Sequence, residues 1–272
     1  MFDLLRGALN IFSKGDTKMK LTFDDSRMMV AAHRGDSYNF FENTMEAYRE
    51  AVKVGADMIE IDVRLTKDLV PVLIHDEKVD RTTDSIGYVR DFTYEELNKI
   101  NAGGKYDFQN IPKLEELLQL IKETGVLLNL ELKEYYVEGN EERCDNCIDQ
   151  CIELIEKYDL ADKMVFNSFD AHCLEYVAEK GKGKYMLHGF YPYDRMRNVK
   201  RNPDEYLYCA CIFDDRVKEH YDYLISKNIE PWIGAGVTKT EHFRECYEYG
   251  ARLVTTNYTA DCFEKLKKIG AR

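Results

Sequence analysis

The chain has 272 residues, of which 38 are basic and 50 are acidic, giving a formal net charge of −12. This balance argues against general affinity for nucleic acid or for an anionic membrane surface, so an anionic substrate would need a local positive site. The length suits one α/β barrel or two ordinary domains. We expect one domain because no linker rich in Pro, Gly or Ser divides the chain.

Residues 1–27 precede the first predicted strand and are interpreted as an N-terminal extension to the main domain, residues 28–272. Within the extension, residues 2–12 are apolar at roughly helical spacing. That run is far too short to span a bilayer and has no small-residue cleavage site, so we expect no stable membrane insertion. A helix that covers one end of the domain, or a loose tail, is the expected structure, and a weak surface anchor is the alternative.

From Met28 onward the sequence alternates between strand and helix patterns, which predicts a parallel sheet covered by helices. The predicted strands are 28–33, 58–63, 126–133, 164–168, 185–188, 207–213, 230–233 and 252–256. The predicted helices are 44–54, 94–100, 114–124, 142–158, 171–179, 216–227, 241–249 and 260–268. A hairpin at Lys67 and the segment 81–110 form an insertion between the second and third strands. Eight such units favour a closed (β/α)8 barrel; an open doubly wound sheet is the alternative, weakened because no Gly-rich phosphate loop follows the first strand.

The second predicted strand carries two acidic residues on one face. Strands alternate faces, so Glu60 and Asp62 share one side while Ile59, Ile61 and Val63 share the other. Two like charges on a buried strand face need a positive partner, and a divalent metal ion is the natural candidate. A surface hairpin with solvated acids is the alternative, but the apolar face calls for helices packed over it.

The polar segment 66–69 that follows is too short for a crossover between parallel strands, and therefore predicts a hairpin. With its turn near Asp68, His75 should lie opposite Asp62 and close to Glu60. The hairpin would thus bring an imidazole, and the neighbouring Asp76, to the acidic pair.

Eight cysteines are scattered along the chain. Without a secretory signal before them, they predict reduced thiols in a cytoplasmic protein. Cys144, Cys147 and Cys151 lie on one face of a predicted helix, and the first two form a C-x-x-C pair that could bind a metal ion. No second pair completes such a site, so we expect small apolar positions in a helix interface.

Catalytic groups of a (β/α)8 barrel lie at the carboxyl ends of its strands. The predicted strand ends are rich in polar, charged and aromatic residues: His33, Arg34, Glu60, Asp62, Glu131, Lys133, Asn167, Ser168, His188, Trp232 and Asn257. We therefore expect the functional site at this end of the barrel. Trp232, the only tryptophan, fits a ligand-stacking position and a core position equally well.

Several motifs follow one another in the first half of the chain: His33-Arg34-Gly35, Glu42-Asn43-Thr44, Glu60-x-Asp62, Pro71-Val72-x-x-His75-Asp76, Arg81-Thr82-Thr83 and Glu131-x-Lys133. Together they resemble the glycerophosphodiester phosphodiesterase family, and Ser168-Phe169 is similar to the next strand of that family. The resemblance implies a TIM barrel of the PLC-like phosphodiesterase type. It also implies hydrolysis of glycerophosphodiesters to glycerol 3-phosphate and an alcohol, with one divalent cation as cofactor.

Carried over by position, the resemblance implies that Glu60, Asp62 and Glu131 bind the metal ion. The residue types agree with this role independently. Hard oxygen ligands suit Mg²⁺ or Ca²⁺, whereas Zn²⁺ normally recruits imidazole or thiolate.

The resemblance further implies that His33 and His75 act as acid and base, and that Arg34 and Lys133 bind the substrate phosphate. A planar guanidinium matches two phosphate oxygens, and two imidazoles titrate near neutral pH. One histidine would remove the proton of the glycerol 2-hydroxyl, which attacks phosphorus, and the other would protonate the leaving alcohol; water then opens the cyclic phosphate with the roles exchanged. Glu42 is expected to hydrogen-bond to Arg34 or His33.

Two alternatives to this enzyme remain open. One is a catalytically silent barrel that binds a phosphorylated metabolite or partner, and the other is a phosphodiesterase that acts on lysophospholipids. The second half of the chain departs from the family pattern at Trp232-Ile233-Gly234-Ala235-Gly236 and at Thr256-Asn257-Tyr258-Thr259, which leaves the leaving alcohol open. The sequence also does not decide between Mg²⁺ and Ca²⁺, the order of the two histidines or the oligomeric state.

Overall fold

The computed structural model describes Leu21, residues 27–105 and residues 107–272. The strands in these residues are β1 (Met29–His33), β2 (Met58–Leu65), β3 (Pro71–Leu73), β4 (Leu127–Leu132), β5 (Met164–Asn167), β6 (Met186–Phe190), β7 (Cys209–Cys211), β8 (Glu230–Ile233) and β9 (Leu253–Thr256). The α-helices are α1 (Met45–Lys53), α2 (Tyr94–Leu97), α3 (Leu114–Thr124), α4 (Glu141–Tyr158), α5 (Ala171–Gly181), α6 (Lys218–Ser226), α7 (Thr240–Glu248) and α8 (Thr259–Lys268).

The parallel strands form a closed barrel in the order β1-β2-β4-β5-β6-β7-β8-β9, and β9 pairs with β1 to close it. β3 is the additional strand and pairs antiparallel with β2. The predicted TIM barrel with a hairpin insertion is therefore confirmed. β7 is shorter than the predicted 207–213 because Leu207 N–H bonds back to Pro203 and Phe213 has a left-handed backbone (φ 57°).

The predicted register of the hairpin is wrong by one residue. Val63 lies opposite Leu73, and Ile74 N–H donates to the Asp62 carbonyl oxygen at 3.0 Å, so Ile74 rather than His75 is the neighbour of Asp62. The cause is the loop, which places Leu69 in a left-handed conformation (φ 60°) and shifts the pairing of the two strands. β3 ends at Leu73, so His75 is no longer held in the strand pleat and still comes near Asp62.

Two hydrophobic clusters lie on the two sides of the barrel wall. Outside, Ile59, Ile61 and Val63 of β2 pack in one cluster with residues of the covering helices, as predicted. Inside, a floor cluster fills the amino-terminal end of the barrel with Leu21, Met29, Ala31, Met58, Leu127, Val165, Met186, Tyr208, Cys209, Trp232 and Leu253. Trp232 is 1% exposed, so of its two predicted positions it occupies the one in the core.

A third hydrophobic cluster belongs to the insertion. This insertion cluster consists of Val72, Ile74, Val79, Val89, Leu97, Ile100, Ala102 and Ile111. It gives the segment between β2 and α3 a small core of its own, separate from the clusters of the barrel wall. The segment that carries His75 is therefore held in a folded arrangement.

The remaining predictions on the chain's organisation have mixed outcomes. All eight cysteines are buried free thiols, and Cys144, Cys147 and Cys151 pack on the inner face of α4 as predicted. The predicted N-terminal extension, apart from Leu21 and Arg27, falls outside the described residues. None of the helices in the described part of the chain combines the length and apolarity needed to cross a bilayer.

Replacing Ile148 by alanine tests the interface between the helices and the barrel. Ile148 lies on α4 and is 0% exposed. We expect Ile148→Ala to lower the free energy of unfolding by about 2–5 kcal/mol, because it removes buried methyl groups and leaves a cavity. The matched control is Ile225→Ala on α6, where the side chain is 50% exposed and the change should stay within about 0.5 kcal/mol. Urea unfolding measures both, and equal losses would contradict the burial of Ile148 between α4 and the barrel.

Candidate active site

The residues predicted for catalysis lie at the carboxyl ends of neighbouring strands. His33 is the last residue of β1 and is paired in register with Glu60 of β2. Asp62 of β2 is paired with Glu131 of β4, and Lys133 follows directly after that strand. Residues in register on neighbouring strands point to the same side, so these side chains converge at the mouth of the barrel.

A tight turn after β1 directs Arg34 toward the same place. Arg34 has a left-handed backbone (φ 59°), and Gly35 follows with φ 81°. A Cβ atom on residue 35 would lie 2.7 Å from the backbone carbon of Ala47, so a side chain does not fit there. Arg34 N–H donates to Glu60 Oε2 at 3.1 Å and ties the turn to β2. The glycine at position 35 therefore has a steric cause.

Three buried carboxylates form the centre of the site. Glu60, Asp62 and Glu131 each bring an oxygen atom within 4.8 Å of the other two. Burial raises the pKa of Glu60 well above its usual range, and the charges of Asp62 and Glu131 add to this effect. Burial also raises the pKa of Glu131 despite the attraction of Lys133. The arrangement is electrostatically unfavourable unless a further positive charge joins it.

Two cations partly neutralise these carboxylates. Lys133 Nζ lies 2.5 Å from Glu131 Oε1 and 3.3 Å from Asp62 Oδ1. Arg34 Nε lies 3.2 Å from Asp62 Oδ2. Burial alone would raise the pKa of Asp62, but Lys133 and Arg34 outweigh it and hold that pKa below its usual range. With all three carboxylates ionised, the centre carries more negative than positive charge, and burial together with this repulsion raises the pKa of Glu60.

One oxygen of Asp62 has no hydrogen-bond partner among the residues that the structure describes. Asp62 Oδ2 accepts a hydrogen bond from Asn43 Nδ2 at 2.9 Å, and Tyr48 OH holds the Asn43 amide by donating to Asn43 Oδ1 at 2.8 Å. The oxygen without a hydrogen bond is Asp62 Oδ1, whose contact is the ion pair with Lys133. A buried carboxylate oxygen without a donor, beside two further carboxylates, fits a hard divalent cation.

His33 is held by an amide on the side away from the acids. Its Nδ1 lies 2.6 Å from Asn257 Oδ1, and its Nε2 lies 3.8 Å from Glu60 Oε2. An amide oxygen can only accept, so Nδ1 carries the proton and Nε2 keeps its lone pair. Burial lowers the pKa of His33 to about 4, with Arg34 adding to the effect. The ring is therefore neutral, with a basic nitrogen toward the centre of the site.

His75 is held by a carboxylate instead. Its Nδ1 lies 2.6 Å from Asp76 Oδ1, and Arg81 Nε donates to Asp76 Oδ2 at 2.6 Å. The pKa of Asp76 lies below its usual range, chiefly because of the hydrogen bond from Arg81. Burial lowers the pKa of His75, while Asp62 and Asp76 favour its protonated form. The two imidazoles therefore stand in different electrostatic surroundings.

An aromatic wall lies beside Lys133. Phe169 stacks on Phe190 with ring centres 3.6 Å apart, and Phe213 lies 5.5 Å from Phe190. Lys133 Nζ lies 5.8 Å from the centre of the Phe169 ring. The residues of this wall follow or end β5, β6 and β7. One side of the site is thus charged and the side after these strands is apolar.

Several predicted strand-end residues do not join the charged centre. Ser168 donates to a backbone carbonyl of β4 at 3.1 Å. His188 lies inside the barrel with its Nδ1 3.3 Å from Asn129 Oδ1, and burial lowers its pKa to about 3. Asn167 is buried as well, and Trp232 belongs to the floor cluster.

Sequence reasoning missed part of the machinery that holds the site. It expected Glu42 to bond to Arg34, and Arg34 Nη1 does donate to Glu42 Oε1 at 2.9 Å. It did not assign a role to Tyr48, to Asn257 as the partner of His33, or to Arg81. Tyr48 is spaced as a core residue of α1, and only the packed structure shows its hydroxyl beneath Asn43.

The family model described as the glycerophosphoryl diester phosphodiesterase family matches residues 33–225 of the chain. The chain belongs to this family. The matched range contains every residue that was predicted for the site, from His33 to Lys133.

Two curated relatives in the family illustrate the extent of the similarity. A glycerophosphodiester phosphodiesterase of Caldanaerobacter subterraneus subsp. tengcongensis is 42% identical over 157 residues, which is 56% of this chain and 62% of the relative. One from Bacillus altitudinis is 41% identical over 147 residues, 52% of this chain and 57% of the relative. The chain thus spans about three fifths of the length of these two relatives.

Solved structures of the family share the barrel. A glycerophosphodiester phosphodiesterase from Agrobacterium tumefaciens aligns with a TM-score of 0.69 at 20% identity, covering 86% of this chain and 99% of that one. A phosphodiesterase from Oleispira antarctica, in complex with the product sn-glycerol-3-phosphate, aligns with a TM-score of 0.74 at 23% identity, covering 89% and 97%. At this identity the likeness establishes the fold.

Replacing Tyr48 by phenylalanine tests the hydrogen-bond relay from α1 to Asp62. The change leaves the buried Asn43 Oδ1 without the donor it has now. We expect Tyr48→Phe to lower the free energy of unfolding by about 1–3 kcal/mol, the usual cost of a buried polar atom that loses its partner. The control is Tyr176→Phe on α5, whose half-buried hydroxyl donates to Asp149 on the outer surface, and which should cost less. Urea unfolding compares the two, and equal stability of Tyr48→Phe and wild type would exclude the relay.

Proposed function

We propose that the protein is a glycerophosphodiester phosphodiesterase that releases glycerol 3-phosphate and an alcohol. The observation that carries this proposal is the buried centre of three carboxylates and two cations, flanked by the imidazoles of His33 and His75. Family membership and the product bound by the Oleispira antarctica relative support the same reaction. The substrate is a small diester, and we propose a cytoplasmic setting on the strength of the free thiols.

The carboxylates of Glu60, Asp62 and Glu131 would hold one divalent cation, Mg²⁺ or Ca²⁺. When bound, such an ion offsets the negative charge of the carboxylates and polarises the phosphoryl group. The protein's own contribution is to fix the ligand oxygens. Asn43 and Tyr48 orient Asp62 from the side of α1.

Arg34 and Lys133 bind the phosphate in this proposal. Glu42 holds the guanidinium of Arg34 from one side, and Asp62 lies on its other side, so its orientation is preset. Lys133 is anchored by Glu131, and the charges of Glu131 and Asp62 outweigh burial and raise its pKa, which keeps it charged. Preset donors stabilise the charge of the reacting phosphoryl group without having to rearrange during the reaction.

The surroundings of the two imidazoles suggest how they divide the work. His33, whose Nδ1 proton is held by a neutral amide, serves as the base that removes the proton of the glycerol 2-hydroxyl. His75, backed by the carboxylate of Asp76, serves as the acid that donates a proton to the leaving alcohol oxygen. The 2-hydroxyl oxygen bonds to phosphorus as the ester bond to the alcohol breaks, giving a cyclic phosphate. Water then opens the ring with the proton transfers reversed.

Turnover of glycerophosphodiesters tests the proposal. Purified protein with Mg²⁺ or Ca²⁺ should release glycerol 3-phosphate from glycerophosphocholine, glycerophosphoethanolamine or glycerophosphoglycerol. Turnover of lysophosphatidylcholine tests the alternative that the enzyme acts on lysophospholipids. His33→Ala and His75→Ala should each lower kcat by about 10²–10⁴-fold, the range for losing one general acid or base. The control is His172→Ala, a histidine on α5 that pairs with Asp145. No turnover by the folded, cation-loaded protein would favour the silent barrel, and unchanged kcat in both variants would reject the histidine roles.

Stabilisation by divalent cations tests the carboxylate site independently of activity. Glu60→Gln keeps the shape of the protonated acid that burial favours, so the metal-free variant should fold as wild type does. Millimolar Mg²⁺ or Ca²⁺ should raise the Tm of wild type, because ligands that bind only the folded state stabilise it, and should leave the Tm of Glu60→Gln almost unchanged. The control Glu95→Gln, on α2 with a side chain that is 86% exposed, should respond as wild type does. An equal rise in Glu60→Gln would rule out Glu60 as a ligand.

The affinity for the cation should depend on pH. Burial raises the pKa of Glu60 and of Glu131, so protons compete with the cation for these oxygens. Since ligand carboxylates must be deprotonated, the apparent Kd should rise as the pH falls toward the raised pKa values of these acids, and binding there should release protons. Calorimetric titrations in two buffers of different ionisation enthalpy measure the released protons. A Kd that does not rise at any pH above the usual pKa of a glutamate would contradict the raised pKa values.

A further inference from the structure

Arg81 joins two carboxylates that hold different groups of the candidate active site. Its Nε donates to Asp76 Oδ2 at 2.6 Å and its Nη2 to Asp76 Oδ1 at 3.1 Å. Its Nη1 donates to Glu42 Oε2 at 2.9 Å and its Nη2 to Glu42 Oε1 at 2.8 Å. One guanidinium thus contacts all four oxygen atoms of the two acids.

Each of these acids holds one residue of the proposed machinery. Asp76 Oδ1 lies 2.6 Å from His75 Nδ1, and Glu42 Oε1 accepts from Arg34 Nη1 at 2.9 Å. The contacts form an unbroken charge chain, defined here as His75, Asp76, Arg81, Glu42 and Arg34. It runs from the imidazole proposed as the acid to the guanidinium proposed to bind phosphate, and Arg81 is its midpoint.

We propose that Arg81 is a positioning residue that orients His75 through Asp76 and Arg34 through Glu42. This inference rests on the proposed function, because it assigns Arg81 a role in that reaction. Arg81 itself lies in the insertion, whereas His75 follows β3 and Arg34 follows β1. It therefore couples the proton donor to the phosphate-binding group.

The geometry argues against a role in stability alone. The side chain of Arg81 is 46% exposed, and ion pairs of half-exposed side chains contribute little to the free energy of unfolding. The four contacts instead use the planar fork of a guanidinium, which fixes the direction of each carboxylate. A lysine would supply the same charge from a single nitrogen and could not direct both acids. Charge and geometry are therefore separable by substitution.

A double-mutant cycle tests the coupling. Asp76→Asn should lower kcat with little change in KM, and Glu42→Gln should raise KM and the Kd for glycerol 3-phosphate. Arg81→Ala should do both, each by about 10- to 100-fold, the range found for residues that orient active-site groups. On the Asp76→Asn background, Arg81→Ala should change KM but cause no further loss in kcat. On the Glu42→Gln background, it should lower kcat but leave KM as it was.

Two further variants complete the experiment. Arg81→Lys keeps the charge, and it should fold as wild type does while staying impaired in kcat or KM; full recovery would mean that charge suffices and would overturn the proposal. The matched control is Arg216→Ala, which removes a guanidinium that is 45% exposed and paired with Glu245 far along the chain. It should leave kcat, KM and Tm unchanged. If Arg81→Ala fails to fold, as judged by its Tm, Arg81→Lys alone decides the question.

The outcomes separate this inference from the proposed function. An active wild type with an Arg81→Ala variant of unchanged kcat and KM would overturn the role of Arg81 and leave the enzyme in place. If the effects of Arg81→Ala on both kcat and KM were the same in the Asp76→Asn and Glu42→Gln backgrounds as in wild type, the role of Arg81 would also be overturned. A wild type that hydrolyses no diester would reject the proposed function. The calorimetric Kd for glycerol 3-phosphate then still decides whether Arg81 acts on Arg34.

Discussion

The mutual repulsion of Glu60, Asp62 and Glu131 is the constraint around which the mouth of the barrel is arranged. The backbone places these carboxylates on neighbouring strands with their oxygen atoms within 4.8 Å, away from solvent. Burying like charges at that distance is costly, and it is tolerated only where compensating charge is close. Lys133 and Arg34 supply part of it. When all three acids are ionised these cations leave an excess of negative charge, and that excess is the physical basis for proposing a divalent cation.

The two sides of the charged centre are built from different parts of the chain. The carboxylates and Lys133 belong to barrel strands or follow them directly, whereas His75, Asp76 and Arg81 belong to the insertion. The charge chain through Glu42 connects the insertion to the loop after β1. The groups proposed for proton transfer and phosphate binding are thus held by contacts between segments that are far apart in the sequence.

Much of the fold was predictable from the sequence because the alternation of strand and helix patterns along the chain and the alternation of polar and apolar residues within β2 both indicate the same barrel. The alternation of Glu60 and Asp62 with Ile59, Ile61 and Val63 predicted both a buried strand and its two faces, and the structure confirms them. The hairpin register was wrong by one residue because it depends on the left-handed Leu69, which the sequence pattern does not reveal. The contact of Tyr48 with Asn43 at the start of α1 and the contact of Asn257 with His33 were also missed. The second joins residues 224 positions apart and is identified only once the barrel is closed.

The separate hydrophobic core of the insertion has an energetic consequence. Units that pack around their own small core open at a lower free-energy cost than the whole domain. His75, Asp76 and Arg81 belong to such a unit, whereas the carboxylates are fixed in the barrel wall. A partial opening of the insertion would move His75, the proposed proton donor, away from the site and leave the eight-stranded barrel intact. Catalytic competence and global folding would then have separate thermal thresholds, with the first lying below the second.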